Sequence, residues 1–298
     1  MSDDRLPERL YKYVRRDGVR LLEEKRLRVP SPVGFNDPFE VLPKVESLLP
    51  EDRVAALISD WLDDAGLEEI YAATARGRGV TTDALRVELP PDALRRRIAD
   101  AGLGGVAEEM APHLSKVVHA AAAARIGMLC FTETADSLLM WGHYADGHRG
   151  LVYGFDPRHP FFDQRIGGED GVPSLQRVEY SRRRPRVTAS DTRAPGDALA
   201  EFLANRFFFT KSDDWSYECE WRLVLPLDPA RSEDGEQYVP LAEGLLTTVI
   251  LGSRVQAEDR DRVLDLVGGD EFFRGVEVLQ GSISDEEFRI DLEPVKGG

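Results

Sequence analysis

Between Met140 and Gly150 the chain reads Met-Trp-Gly-His-Tyr-Ala-Asp-Gly-His-Arg-Gly, which sets Trp141, His143, Tyr144, His148 and Arg149 close together. Imidazole takes up or releases a proton near neutral pH, a phenol donates a directed hydrogen bond, and indole and phenol rings offer flat faces on which a base or a nicotinamide can stack. The plainer reading is a buried aromatic corner with its polar tips satisfied internally. His143 and His148 lie outside helical register and have no nearby third ligand, so no metal site is expected there. A second run, Trp215-Ser216-Tyr217-Glu218-Cys219-Glu220-Trp221-Arg222-Leu223, has the alternation of a strand. Glu218, Glu220 and Arg222 would then share one face, opposite Tyr217, Cys219, Trp221 and Leu223. Two carboxylates beside a guanidinium suit acid/base work or charge stabilisation, or else form the charged outer face of an edge strand.

Other candidates are single features. Asn36-Asp37 forms a turn before Pro38, where its side chains either cap their own backbone or line a pocket. Lys12, Lys211 and the run Arg182-Arg183-Arg184-Pro185-Arg186 are candidate phosphate contacts, the run reading more simply as a solvated loop. Cys130 and Cys219 are the only cysteines, with no CxxC pair, so a disulfide framework and a structural zinc site are both unsupported and the thiols are expected to be packed residues. Glycine-rich dinucleotide, Walker A and nucleophile-elbow motifs are lacking.

The elements that must carry these groups can be read from pattern and composition. With 298 residues, 42% hydrophobic and 31% charged, the chain can bury a substantial core. Its net charge of −16 opposes bulk binding to nucleic acid or anionic lipid. There is no apolar run of spanning length and the N-terminus is charged, so a soluble cytoplasmic protein without membrane attachment is expected. Leu10 to Tyr13 reads as a strand, Asp17 to Arg26 as a short helix, and Leu27 to Val29 as a strand entering a loop fixed by Pro30, Pro32 and Pro38. Residues 45–125 turn to helical periodicity, as at Val54, Leu57, Ile58, Trp61 and Leu62, and close on an apolar helix from His113 to Ala124. Strands are then expected at Gly127 to Phe131, Gly150 to Phe155, Val178 to Tyr180, Glu218 to Leu227, Thr247 to Leu251 and Gly275 to Leu279. Helices are expected at Asp197 to Phe209 and near Glu258 to Val267. The expected class is α+β: a mixed, mainly antiparallel split sheet built from 1–44 and 126–298, with an all-helical insertion at 45–125.

Taken together, Leu10-Tyr11-Lys12-Tyr13, Ser31-Pro32, Phe35-Asn36-Asp37-Pro38-Phe39-Glu40, Cys130-Phe131-Thr132-Glu133, Met140-Trp141-Gly142-His143-Tyr144-Ala145, His148-Arg149-Gly150 and Glu218-Cys219-Glu220-Trp221-Arg222 resemble a bacterial family known as a domain of unknown function. The resemblance runs over roughly residues 10–255 and carries no agreed activity. A more distant likeness is to ADP-ribosyltransferases, whose first strand carries a polar residue, whose second leads to a serine or tyrosine, and whose later strand carries a catalytic glutamate. Lys12 with Tyr13, Ser31 and Glu218-x-Glu220 are similar to those elements and stand in the same order, although Lys12 replaces the usual Arg or His.

That resemblance implies NAD as substrate. Glu220 would stabilise an oxocarbenium-like ribose, while Glu218 orients or deprotonates an acceptor. Lys12 or Arg222 would neutralise the pyrophosphate, and Trp141 or Tyr144 would stack on nicotinamide. Tyr13, Ser31, Asn36 and Asp37 would line the same cofactor site, and His143 would assist as acid or base. Water in place of an acceptor gives NAD hydrolysis, and a role in phage defence or as a toxin is implied by analogy. Two other classes compete: a non-catalytic sensor binding a nucleotide or a protein partner, the helical insertion serving as docking surface, and a metal-dependent nuclease using Asp37, Glu40, Glu218 and Glu220 with His143.

Overall fold

The computed structural model describes residues 5–45, 64–94, 119, 125–166, 172–188, 206–227, 232–233 and 235–295. The chain divides into two units, one made of Met1–Val41, Ala120–Arg184 and Ala204–Gly298, the other of Leu42–His119 and Pro185–Leu203. The first unit is built on an eight-stranded sheet. From edge to edge its strands are Ile290–Pro294, Glu277–Ile283, Leu246–Leu251, Leu151–Phe155, Leu10–Val14, Ile126–Thr132, Glu220–Pro226 and Leu175–Arg177. All neighbours pair antiparallel except Leu246–Leu251 with Glu277–Ile283, which run parallel and are joined through the helix Ala257–Gly269. A parallel pair needs such a crossover. Helices plus a mainly antiparallel mixed sheet make the fold α+β, as its sequence pattern predicts.

The central strands are covered on both faces, which is why they read as continuous apolar runs: every residue of Leu151–Phe155 is buried. The larger core gathers Leu10, Leu129, Phe131, Leu151, Phe155, Leu223, Val249 and Leu251 with Val19 and Leu22 of the helix Gly18–Glu23 and Val263 of Ala257–Gly269. A second cluster joins Tyr13, Trp141, Ala145, Val152 and Ile250. Among the described residues no helix is long and apolar enough to cross a membrane.

Several element boundaries differ from expectation in this unit: the strand expected at Gly275 to Leu279 runs from Glu277 to Ile283, that expected at Val178 to Tyr180 from Glu179 to Ser181, and two others shift for a clear local reason. The first helix stops at Glu23 and not at Arg26, because Lys25 turns into the left-handed region at φ 49° and Arg26 begins the strand that pairs with Glu236–Pro240. The strand expected from Glu218 begins at Glu220 instead, because Asp213–Glu218 winds as a short 3-10 helix and Cys219 takes φ 43°. Ser212 caps that turn, its hydroxyl accepting from the Asp214 amide, and Ser-Asp-Asp is helix-start chemistry that outcompetes the strand pattern locally.

In the second unit, the helices Asp64–Arg78 and Thr82–Glu88 bury Leu67, Tyr71, Ala75 and Leu85 together. Thr81 caps the second helix through its hydroxyl, which accepts from Ala84 N at 3.2 Å. Lys44–Val45 pairs in parallel with Arg186–Val187, so the described part of this unit is not purely helical. The periodic run from Val54 to Leu62 lies outside the described residues, as do the helix expected at His113 to Ala124, apart from His119, and most of that at Asp197 to Phe209.

Gly150 shows how tightly the central strands pack against the turn beyond the helix Leu138–Tyr144. A Cβ added there would stand 2.1 Å from the Val14 carbonyl oxygen and 3.1 Å from that of Ala145. Backbone cannot yield as a side-chain tip does, so Gly150→Ala is expected to destabilise the fold by about 3 kcal/mol, at the upper end of overpacking costs. A urea midpoint unchanged from wild type would contradict this packing.

Candidate functional site

Arg222 is fully buried at the third position of its strand. A buried guanidinium must be paired, and this one is fully engaged. Its Nε and Nη2 donate to the two carboxylate oxygens of Glu220 at 2.8 and 3.0 Å, and its Nη1 donates to the Phe208 carbonyl at 2.7 Å. Nη1 also lies 2.6 Å from Glu40 Oε1, an ion contact without hydrogen-bond alignment. Glu220 and Arg222 share a strand face two positions apart, as the alternation predicts.

Lys211, in the strand Thr210–Ser212, is the second buried cation. Its Nζ donates to Glu218 Oε2 at 2.6 Å and to Glu220 Oε2 at 3.0 Å, and stands 4.0 Å from Glu40 Oε2. Glu218 therefore reaches the cluster from the 3-10 turn before the strand, not from the strand face itself. Its other oxygen, Oε1, accepts from the Tyr144 hydroxyl at 2.6 Å, and that hydroxyl accepts from Asn36 Nδ2 at 3.3 Å. The Tyr180 hydroxyl accepts from the Glu220 backbone amide at 2.8 Å. The Phe-Asn-Asp-Pro-Phe-Glu loop, the Trp-Gly-His-Tyr helix and the Glu-x-Glu-Trp-Arg strand thus meet in one hydrogen-bonded network around Lys211.

Three buried carboxylates face two buried cations, which leaves one surplus negative charge. The pKa directions show how the network accommodates it. Burial pushes the Glu220 carboxyl up, but Arg222 and then Lys211 outweigh burial and hold it down at about 2. For Glu40, burial wins over Arg222 and the carboxyl is raised, the direction in which it would carry the surplus proton. Burial opposes the charge on Lys211, yet the Glu220 and Glu218 carboxylates hold it above the usual lysine value. Burial, and then the bond to Glu218, raises Tyr144, so the phenol stays protonated and donates.

The remaining sequence candidates occupy varied positions around this network. Trp141 is fully buried, donates its indole N–H to the Ala135 carbonyl at 2.9 Å, and packs edge-on to Tyr13 and parallel to His148 at ring separations of 5.3 and 5.9 Å. Neither it nor Arg222 presents a surface to a ligand in this arrangement. Tyr13 is buried and donates its hydroxyl to the Thr134 carbonyl at 3.3 Å. Asp37 is buried and caps its own turn, Oδ1 accepting from Phe39 N at 2.9 Å. Ser31 precedes the 3-10 turn Pro32–Gly34. Lys12 is half-buried, donates to the Cys130 carbonyl at 3.3 Å, and has its pKa lowered by burial. His143 is exposed, its ring 6.1 Å from that of Tyr144, and His148 is half-buried with its pKa lowered by burial and then by Arg254.

The sequence suggests Lys211 as a phosphate contact and gives Trp215 and Tyr180 no role, and the structure assigns all three to the network. Trp215 is half-buried with the Lys211 ammonium 4.9 Å from its ring centre, and Tyr217 lies beside it at 6.2 Å. A lysine following Phe207-Phe208-Phe209 and preceding two spaced glutamates is the available sign of a buried, paired ammonium. Among the described residues no group of three or more His, Cys, Asp and Glu side chains is arranged to hold a metal ion. Within the carboxylate cluster it is the Lys211 ammonium that the glutamates surround.

A family model described as Protein of unknown function (DUF2971) matches residues 140–223. The matched segment begins inside the aromatic helix and ends on the Arg222 strand, and so contains Tyr144, Lys211, Glu218, Glu220 and Arg222. No curated protein and no solved structure matches the chain.

Glu220 titrates lower in the fold, at about 2, than the 4.5 of a free glutamate, so its stabilisation is complete above the free value and is lost as pH falls toward 2. Glu40, shifted the other way, offsets part of this at the acid end. Glu220→Gln is expected to cost about 3–5 kcal/mol at pH 7, because it leaves two buried cations underpaired, and to flatten the decline in stability between pH 5 and pH 3. Urea midpoints across that pH range check both, and a variant as acid-sensitive as wild type would refute the assignment.

Proposed function

We propose that the chain consumes NAD, as an ADP-ribosyltransferase-like enzyme or an NAD glycohydrolase, at the rim of the Tyr144–Glu218–Lys211 cluster. The observation that carries this reading is the environment of Glu218. Its carboxylate is bonded to the Lys211 ammonium and lies under a half-buried phenol that donates to it at 2.6 Å. Rupture of the bond between nicotinamide and ribose sends the bonding electron pair to the nicotinamide nitrogen, which leaves neutral. The positive charge passes to an oxocarbenium-like ribose, and a fixed carboxylate at the ribose hydroxyls stabilises it. A nucleophile, water or a macromolecular acceptor, then adds at the anomeric carbon and loses its proton.

In this scheme Glu218 takes the role that the resemblance to ADP-ribosyltransferases implies for Glu220, and Glu220 becomes a positioning residue that fixes Lys211 and, through it, Glu218. Both oxygens of Glu220 are bound by the fully buried Arg222, whereas one oxygen of Glu218 is held by the half-buried Tyr144 phenol, which a ribose hydroxyl could displace without breaking an ion pair. Trp215, half-buried at the rim, supplies the stacking face in place of Trp141. Asn36, exposed and hydrogen-bonded to Tyr144, is an amide available to the ribose or carboxamide, and exposed His143 can take the acceptor's proton. Lys12 remains the candidate partner of the pyrophosphate. A cytoplasmic effector that depletes NAD, as a toxin or in phage defence, is the setting this chemistry suits.

One observation favours a second reading, a nucleotide-binding sensor without turnover: every oxygen of Glu218 and Glu220 already has a partner inside the protein. The nuclease reading is weakened by Lys211, which fills the place among the glutamates that a magnesium ion would need.

Incubation with NAD⁺, coupled to chromatography of nicotinamide with and without lysate as acceptor source, separates the two. Release by wild type, falling about 10²- to 10⁴-fold in Glu218→Gln and in Tyr144→Phe with unchanged circular dichroism, is the expected result. Trp215→Ala should chiefly raise KM. NAD⁺ binding without release would establish the sensor, and absence of binding would overturn both.

A further inference from the structure

Away from the Lys211 network, the segment joining the last two strands of the main sheet leaves an unpartnered surface. Phe288 is fully exposed at 100% and Ile283 at 65%. Together with Leu138, the first residue of the short aromatic helix, they line a groove of about 360 Å³ that also contains His148. A fully exposed phenylalanine beside a concave surface is costly in water unless something covers it, and clustered exposed apolar groups mark interaction sites. The charged lining is mostly acidic, with Asp285, Glu286 and Glu287 against Arg289. Asp285 and Glu286 have no ion-pair partner among the described residues, whereas Glu287 is paired with Arg289, which also binds Asp291. The groove is thus lined by exposed apolar side chains together with carboxylates.

We propose that this groove is a docking site for a protein segment with an apolar side chain flanked by lysine or arginine. Two features on the surface itself select that occupant. The apolar side chains favour an apolar anchor, and the Asp285 and Glu286 carboxylates, without an ion-pair partner among the described residues, favour cations beside it. A second copy of the chain is a poorer fit, because each copy carries a net charge of −16 and the approach of two is repulsive. The groove adjoins the helix Leu138–Tyr144, whose first residue lies in it and whose last residue holds Glu218. A segment seated there would touch the same short helix that supplies Tyr144 to the network.

The probe is a fluorescein-labelled twelve-residue peptide of alternating leucine and lysine, with anisotropy measured on the full chain at about 0.15 M salt, where the Debye length of about 8 Å suppresses long-range attraction. The expected result is saturable binding that weakens at least tenfold in Phe288→Ala and in the double variant Asp285→Lys with Glu286→Lys. All three residues are exposed, so the fold is untouched. The double variant Asp261→Lys with Asp265→Lys, an equal change of charge on the exposed face of Ala257–Gly269, should leave binding within twofold. Equal loss in both double variants would reduce the effect to bulk charge and overturn the proposal, as would full binding by Phe288→Ala. Sedimentation of the wild type as a dimer that Phe288→Ala dissociates would assign the groove to a second copy and overturn it equally.

Discussion

The fold is organised around a difficulty that its sequence creates: a guanidinium and an ammonium must stay charged where water does not reach. Removing either from water costs several kcal/mol, and only close, well-aligned carboxylates return that cost. Glu220 answers both cations at once, two oxygens to Arg222 and one of them shared with Lys211. Everything else near the site is placed by this requirement. The turn before the strand must deliver Glu218 to Lys211, the proline-rich loop must deliver Glu40 to Arg222, and Tyr144 and Tyr180 must close the remaining valences. The network therefore ties together segments far apart in the sequence with directional bonds, which the hydrophobic core alone would not specify.

How much of this is legible in the sequence depends on the period of the signal. Strands such as Leu151–Phe155 and Leu246–Leu251 announce themselves by short runs rich in leucine, β-branched and aromatic residues, and the structure places them within a residue of where the pattern does. The pairing of Glu220 with Arg222 is also readable, since alternate residues of a strand share a face. Glu218 is the instructive case. The alternation that groups it with Glu220 is broken by Ser212-Asp213-Asp214, whose capping chemistry winds a 3-10 turn, and the side chain nonetheless arrives at the same cation from another direction. Trp141 misleads for a related reason: an indole in a polar motif has both an apolar body and one donor, and the Ala135 carbonyl satisfies that donor inside the core. Sequence shows which groups need partners but not which side of the wall they stand on.

Burial and function pull against each other at the rim. Trp215, Tyr217, Tyr144 and Asn36 are the least enclosed members of the site, while the charges beneath them are sealed. Such layering, with paired ions below and less enclosed rings bonded to them above, orients the outer groups and lets binding draw on preorganised geometry.

The position of the strand Leu10–Val14 in the middle of the sheet bears on the order in which the protein is made. Its partners are Ile126–Thr132 on one side and Leu151–Phe155 on the other, so it waits on the ribosome for both. At about 5–20 residues per second that delay is roughly six to thirty seconds, during which both hydrogen-bonding edges are open to other chains. Lys12 at its centre, an expensive residue in the finished sheet, is then a charge in the middle of an apolar strand, which is where a guard against premature pairing during synthesis is most effective.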